Sequence, residues 1–295
     1  MRALVGIILN TFREAVRQPF YYLLAGAALA ALLATLRLPL FTFYNDVDMY
    51  KDLGLSFILV FVLLAGLLAA ATGVAREVED KTAQTILAKA LGRWQFILGK
   101  YLGVMAAVVL AAIVLGAVFA AAVYYRVELD AGVLERPYAQ GGVGAEVAAF
   151  RARQLAQALT VVPGVVLVIL QVGVLAAVAT ALSTRLAPAA SVALSLTAFV
   201  VGHLTIFLEG AVRAAGGVAA AVVQGILTVV PFLEVFNINQ KLSHAMLTPL
   251  EAGSPGGAEW AAVWAYVGVS ALYAAAYAAA AIGMGVLLFR RRSLS

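Results

Sequence analysis

Read along the chain, apolar residues gather into six runs, at about 20–36, 53–74, 101–125, 160–182, 188–208 and 260–289. At about 1.5 Å of rise per residue, a helix needs roughly 20 such residues to cross a hydrocarbon core about 30 Å thick. The pattern predicts an all-α polytopic membrane protein: six transmembrane helices packed as one domain over residues 1–295, since an isolated span buries no specific face by itself. Ahead of the first run, residues 1–18 alternate with helical period. Leu4, Ile8, Phe12 and Val16 recur on one face, and Arg2, Asn10, Arg13 and Arg17 lie on the other. Pro19 marks a bend into the first span. Residues 1–19 therefore read as an amphipathic interfacial helix, and the absence of a small-residue cleavage site argues against a signal peptide.

The segments between runs are of two kinds. Residues 37–52 and 126–159 read as loops on one side of the membrane, and within the second, 145–159 forms a helix expected to lie along the outer surface. Residues 183–188 make a tight link on the other side, with Pro188 in the first turn of the next span. Residues 209–259 are harder to place. The stretch 212–232 is apolar enough for a seventh span, but it contains Gly216, Gly217, Gln224, Gly225 and Pro231. A full crossing would carry Arg290–Arg292 to the other side. A re-entrant segment before the last span is expected instead, its backbone polar groups covered by protein.

Composition agrees: 64% of residues are hydrophobic, only 12% are charged, and mean hydropathy is +1.00, outside the range of soluble domains. The formal charge of +5 is not a nucleic-acid footprint. With six spans, one side carries Arg2, Arg13, Arg17, Arg76, Lys81, Lys89, Arg93, Lys100, Arg185 and Arg290–Arg292 against Glu14, Glu77, Glu79 and Asp80, while the rest of the charges are mostly acidic. That bias places both termini in the cytoplasm. Cysteine is absent, which excludes disulfides, thiolate metal sites and a thiol nucleophile.

One charged insert stands out, at 75–100 between the second and third runs. Glu77 and Lys81 are an i, i+4 pair in the favourable order. Thr82 to Ala90 then sets Ile86, Leu87 and Ala90 among Thr82, Gln84, Thr85 and Lys89, a short amphipathic helix. Gly92 is expected to end it, and Arg93-Trp94 to mark the return to the membrane. Gly99 and Gly103 allow the next helix to approach a neighbour closely. On these residues alone the insert is either a solvated connection or a rigid helix that docks on a soluble partner.

Polar residues inside the spans are functional suspects. His203 falls within the fifth run and Glu209 at its outer end, six residues apart and so on nearly opposite faces. A metal site joining His203, His244 and Met246 is conceivable, but isolated polar packing is favoured, and no metal is expected. Ser191, Ser195, Ala198 and Gly202 form a small-residue stripe suited to helix packing or a subunit seam. The stretch from Pro231 to Asn237 is expected at the external mouth, as a cap or a simple chain break. Tyr266, Tyr273 and Tyr277 either line a pathway or pack. No nucleophile–base or paired-carboxylate arrangement emerges. Gly92 and Gly99-Lys100, followed by Tyr101, lack the spacing and the Ser/Thr of a P-loop.

Glu77, Thr82, Ile86-Leu87, Arg93 after a glycine, Gly99-Lys100 and Leu102-Gly103 resemble the signature between the second and third spans of ABC type 2 permeases. Ala90-Leu91-Gly92-Arg93 stands where Pro-x-Ser-Arg is common in that family. Residues 11–17 resemble the family's elbow helix, and the likeness covers the whole chain, with the nitrous-oxide-reductase maturation permeases as similar proteins. The resemblance implies a transmembrane subunit with no ATPase activity, in a bacterial or archaeal cytoplasmic membrane. It implies a coupling helix over about 75–92 that docks on a separate ABC ATPase subunit, which binds ATP and Mg. Glu77, Glu79, Lys81 and Arg93 would border that contact, and Thr82, Ile86 and Leu87 would enter it. It further implies two ATPase subunits and a second permease chain, identical or related. A secondary transporter or channel, and a mechanotransmitter that moves no substrate, are the rival expectations.

Overall fold

Among the described residues eight helices form and no strand: α1 (Arg2–Arg17), α2 (Pro19–Leu36), α3 (Asp46–Glu79), α4 (Arg93–Asp130), α5 (Gly144–Leu159), α6 (Val161–Leu182), α7 (Pro188–His203) and α8 (Gly256–Arg290), with a 3-10 turn at Leu233–Phe236. This computed structural model describes residues 2–36, 46–79, 92–130, 144–205, 208, 221, 224–225, 229–237 and 256–290, without the side chains at 2–3, 46, 74–79, 130, 256–259 and 290. Among the described residues five helices are long and apolar enough to cross a membrane, α5 and α6 counting together as one, and α7 is a shorter apolar helix. At about 1.5 Å per residue, its 16 residues span about 24 Å. It ends at His203, five residues before the apolar run does, and Gly202 abuts the returning chain: a Cβ there would lie 2.7 Å from the Pro231 carbonyl oxygen.

The bundle is organised around α6. It is apolar on every side, and it buries residues from Val161 to Ala181 against α3, α4, α7 and α8. The most apolar stretch through α6 is 72% buried, whereas that of α2 is 22% buried and that of α8 is 28% buried. The outer helices leave Leu23, Val269 and Leu272 uncovered, as lipid contact requires. Helices α3 and α4 pack against each other and both touch α2 and α6. A second, smaller cluster closes the end where α4 begins: Phe96 stacks on Phe289 at 5.9 Å, with Ile97, Ala177 and Ile282 beside it. That end is called proximal below, and the end holding Leu36 and Tyr50 distal.

Three local features add to or change the expectations. First, the helix that Gly92 is expected to end lies outside the described residues; Gly92 itself caps the start of α4, its N–H donating to Gln95 Oε1 at 3.2 Å, so the side chain three residues on satisfies an amide that the helix leaves open. Second, Glu77 and Glu79 belong to the last turn of α3, because nothing in 74–79 breaks the helix. Third, the helix at 144–159 does not lie flat outside: α5 joins α6 through Thr160 alone, whose backbone stays right-handed helical. One face of α5 packs on the distal part of α4, and Gln154 Nε2 donates to the Tyr124 carbonyl at 3.3 Å. Accordingly α4 runs on past the expected loop start at Arg126 to Asp130.

The distal rim is held by polar side chains that serve exposed carbonyls. Arg126 Nη1 donates to the Leu36 carbonyl at 2.6 Å, closing the end of α2, and its guanidinium lies 5.7 Å from the Tyr50 ring. Tyr50 donates to the Leu32 carbonyl at 3.2 Å. Lys51 bridges Asp48 at 3.2 Å and also bonds the side chain of Gln157.

The glycines set a test of the packing. Gly103 meets the backbone of α1, whereas Gly6 has nothing within 4 Å. Gly103→Leu is expected to cost about 1–3 kcal/mol through overpacking. Gly6→Ala is expected to raise stability by about 0.5–1 kcal/mol through helix propensity. Thermal unfolding midpoints of the purified chain in detergent measure both.

Candidate functional site

Two groups of residues join irregular or charged parts of the chain to the bundle. The proximal group seats α1 on α4. A Cβ on Gly99 would fall 2.8 Å from Ile7 Cγ2, and one on Gly103 would fall 2.7 Å from the Ile8 carbonyl oxygen and 2.5 Å from the Thr11 Cβ. These two glycines, one turn apart, form the flat bed on which α1 rests. Beside them Lys100 Nζ reaches Glu14 Oε2 at 3.3 Å; the lysine side chain is 2% exposed and the glutamate 32%. One turn past the bend at Gln18, the Tyr21 hydroxyl donates to the Ala107 carbonyl at 2.9 Å. The whole elbow therefore moves with the first four turns of α4.

Arg93, the first residue of α4, follows the capping Gly92, and Trp94 beside it is 53% exposed. This places the interfacial aromatic where the sequence expects re-entry into the membrane. Glu77 and Glu79 end α3 on the same side of the bundle. Lys81, Thr82, Ile86 and Leu87 lie outside the described residues, as does Glu209. The structure thus frames the 80–91 segment from both sides and leaves its interior undescribed.

The second group lies deeper, where α6, α7 and α8 meet the chain that returns before α8. His203 Nδ1 lies 2.9 Å from the Phe199 carbonyl and Nε2 lies 3.0 Å from Gln171 Nε2. A carbonyl only accepts, so Nδ1 carries the proton and Nε2 accepts from the Gln171 amide. Both ring nitrogens are engaged, and a metal bound at Nε2 would break the bond to Gln171. His244 and Met246 lie outside the described residues, and no group of acidic or histidine ligands suited to a metal occurs among the described ones. Gln171, 3% exposed at the middle of α6, is the polar residue that sequence reasoning passed over. A lone amide inside an apolar run was the available signal, because such a group demands a partner.

Ser191 and Ser195 are fully buried, as is Gly202, so the small-residue stripe of α7 faces the bundle interior. The hydroxyls of Ser191 and Ser195 have no hydrogen-bond partner among the described residues. The three tyrosines of α8 hydrogen-bond the main chain of the segment that precedes α8. Tyr266 Oη donates to the Val235 carbonyl at 2.7 Å, Tyr277 Oη donates to the Val229 carbonyl at 2.6 Å, and the Phe232 N–H donates to Tyr273 Oη at 2.8 Å. Their spacing of seven and four residues puts the three hydroxyls on one side of α8. The chain from Val229 to Val235 therefore climbs toward the distal end, held by its backbone. Leu233 and Phe236 are buried at its distal end, and the rest of the expected re-entrant segment lies mostly outside the described residues.

A paired exchange tests the Gln171–His203 contact. Gln171→Leu alone leaves an imidazole acceptor unmatched and is expected to destabilise by about 1–3 kcal/mol. Adding His203→Phe removes the unmatched partner and should return part of that loss, with a coupling energy of about 0.6–1.7 kcal/mol. Strictly additive unfolding free energies for the two single variants and the double variant would show that the side chains are not bonded.

The profile of the ABC-2 family transporter protein matches residues 8–283, nearly the whole chain. The match is to the family as a whole and does not extend to the likeness with nitrous-oxide-reductase maturation permeases. No curated protein matches the sequence. Proteins of this family are membrane subunits rather than ATPases, and typically work with an ABC ATPase subunit. With its membrane-length helices and a match from the elbow helix to the last span, the chain belongs to the ABC-2 transporter family and is a multi-pass membrane subunit of an ABC transporter.

Proposed function

We propose that this subunit forms half of a translocation pathway and takes its power stroke through residues 75–92. The carrying observation is mechanical. Helices α3 and α4 both extend beyond their apolar runs on the proximal side, to Glu79 and from Arg93, and so bracket the 80–91 segment. The head of α4 is also the bed of α1, fixed by Gly99, Gly103 and the Lys100–Glu14 pair. A push delivered between Glu79 and Arg93 reaches three elements at once: α3, α4 and, through its bed, α1. On this reading Thr82, Ile86 and Leu87 insert into a cleft of the ATPase subunit, bordered by Glu77, Glu79, Lys81 and Arg93. ATP binding and hydrolysis, with Mg, belong to that partner.

Two ATPase subunits and a second permease chain, identical or related, complete the transporter. The membrane is the bacterial or archaeal cytoplasmic membrane, with both termini inside; the cation excess of the proximal side supports that orientation. Alternating access follows if closure of the ATPase pair swings α3 and α4 against α6, whose place as the most buried helix makes it the fixed member.

Two measurements bear on this. Glu77→Arg and Leu87→Asp are expected to abolish co-purification of the ATPase subunit, or to uncouple transport, without loss of membrane insertion; full binding together with full transport would refute the coupling role. Because the chain has no cysteine, Thr85→Cys and Ser254→Cys each provide a unique label. Thr85→Cys should react with an impermeant maleimide only from the cytoplasmic side and Ser254→Cys only from the outside, and the reverse pattern would overturn the orientation.

A further inference from the structure

Helix α8 is gripped at two levels by different chemistry. Near its proximal end Phe289 is fully buried and stacks on Phe96, the ring centroids 5.9 Å apart and the planes 22° from parallel. Phe96 belongs to the first turn of α4, which begins at Arg93. One residue before the stack, the Leu288 carbonyl accepts from Arg185 Nε at 3.0 Å, so the link between α6 and α7 serves a carbonyl that the end of α8 leaves open. Farther along α8 the grip is polar. Tyr277, Tyr273 and Tyr266 bond the main chain at Val229, Phe232 and Val235, and Ser270 Oγ adds a bond to the Val235 carbonyl at 3.3 Å.

Between the two grips α8 is one continuous helix without proline. A helix in hydrocarbon does not bend sharply without leaving peptide groups unpaired, so a displacement of one end is carried along its length. At about 1.5 Å per residue, Tyr273 lies about 24 Å along α8 from Phe289. The contact between α8 and α6 is made largely of small residues. Ala274 and Ala278 of α8 are buried, as are Ala176, Ala177 and Ala181 of α6, and a Cβ on Gly285 would lie 3.0 Å from the Ala181 Cα. Short side chains interlock shallowly, which suits a slide of about 1–2 Å of one packed helix past another.

The place where such a slide is driven is the aromatic stack. Phe96 and Phe289, with Ile97, Ala177, Ala278 and Ile282, form a cluster separate from the main core. Its α4 member sits at the head of the helix that follows the 80–91 segment. We propose that α8 is a push rod that joins the head of α4, through Phe96 and Phe289, to the 229–235 strap, so that the state of the proximal stack sets how firmly the strap is held. The source of the push rests on the coupling role proposed for 75–92, whereas the link from stack to strap rests on the contacts within this chain. Phe96, Phe289 and Arg185 are then positioning residues for a segment none of them touches.

The test follows amide hydrogen exchange by mass spectrometry on the full chain in detergent, without an ATPase subunit. Its failure therefore leaves the coupling role standing, and failure of the coupling role leaves this link standing. Phe289→Leu removes the stack and keeps most of the volume, and it should speed exchange at 229–237 about two- to tenfold, the range set by the strength of an aromatic pair. Phe96→Leu should do the same, and the two together should do no more than either alone. Arg185→Gln, at an exposed position, should act in the same direction and guards against loss of folding in the core variants. Coupling between sites is reciprocal, so Tyr273→Phe with Tyr277→Phe should speed exchange at 286–289. Unchanged exchange at 229–237 in Phe289→Leu and Arg185→Gln overturns the proposal. So does acceleration of the same size throughout the chain, the centre of α6 included, because the stack would then only add to overall stability.

Discussion

A peptide group left unpaired in hydrocarbon costs several kcal/mol, and the irregular parts of this bundle are arranged around that constraint. Helices solve it internally along their length, but their ends and the returning chain do not. At several such places a long polar side chain from another element reaches the open backbone group. Arg126 of α4 serves the end of α2, and Tyr21 of α2 adds a bond to a carbonyl inside α4. Arg185, in the link before α7, donates to the Leu288 carbonyl at 3.0 Å near the end of α8. Each of these bonds crosses between elements, so satisfying the backbone also fixes how the helices sit.

The same requirement separates rigid from movable parts. Helix α6 is the most buried of the long helices, and its neighbours meet it through small residues such as Gly164 and Gly173. Helix α1 touches α6 nowhere among the principal contacts and rests instead on α4. The proximal end thus combines a buried centre with a seated outer layer.

Much of this was legible before any coordinates. Apolar runs located the long helices because hydrocarbon thickness sets their length, and Gly99 and Gly103 announced a close approach because their spacing is that of one helical face. The partner of that approach was not legible, since nothing in 99–103 says that α1 rather than another span lies there. Helix ends were read less well. Residues 75–79 read as the start of a separate surface helix because polarity changes there, but polarity marks the membrane boundary and not the end of a helix. His203 drew attention as a charged-type residue in a span, while Gln171, which completes it, carried no charge to give it away.

The tyrosine hydroxyls of α8 hold Val229, Phe232 and Val235 through main-chain atoms only. Such anchors are indifferent to what side chains the held segment carries, provided that it is not proline at 232, where the N–H is used. Exposed positions such as Val229 and Phe232 are therefore open to evolutionary drift, and a lineage is free to change the chemistry presented there while the strap keeps its place.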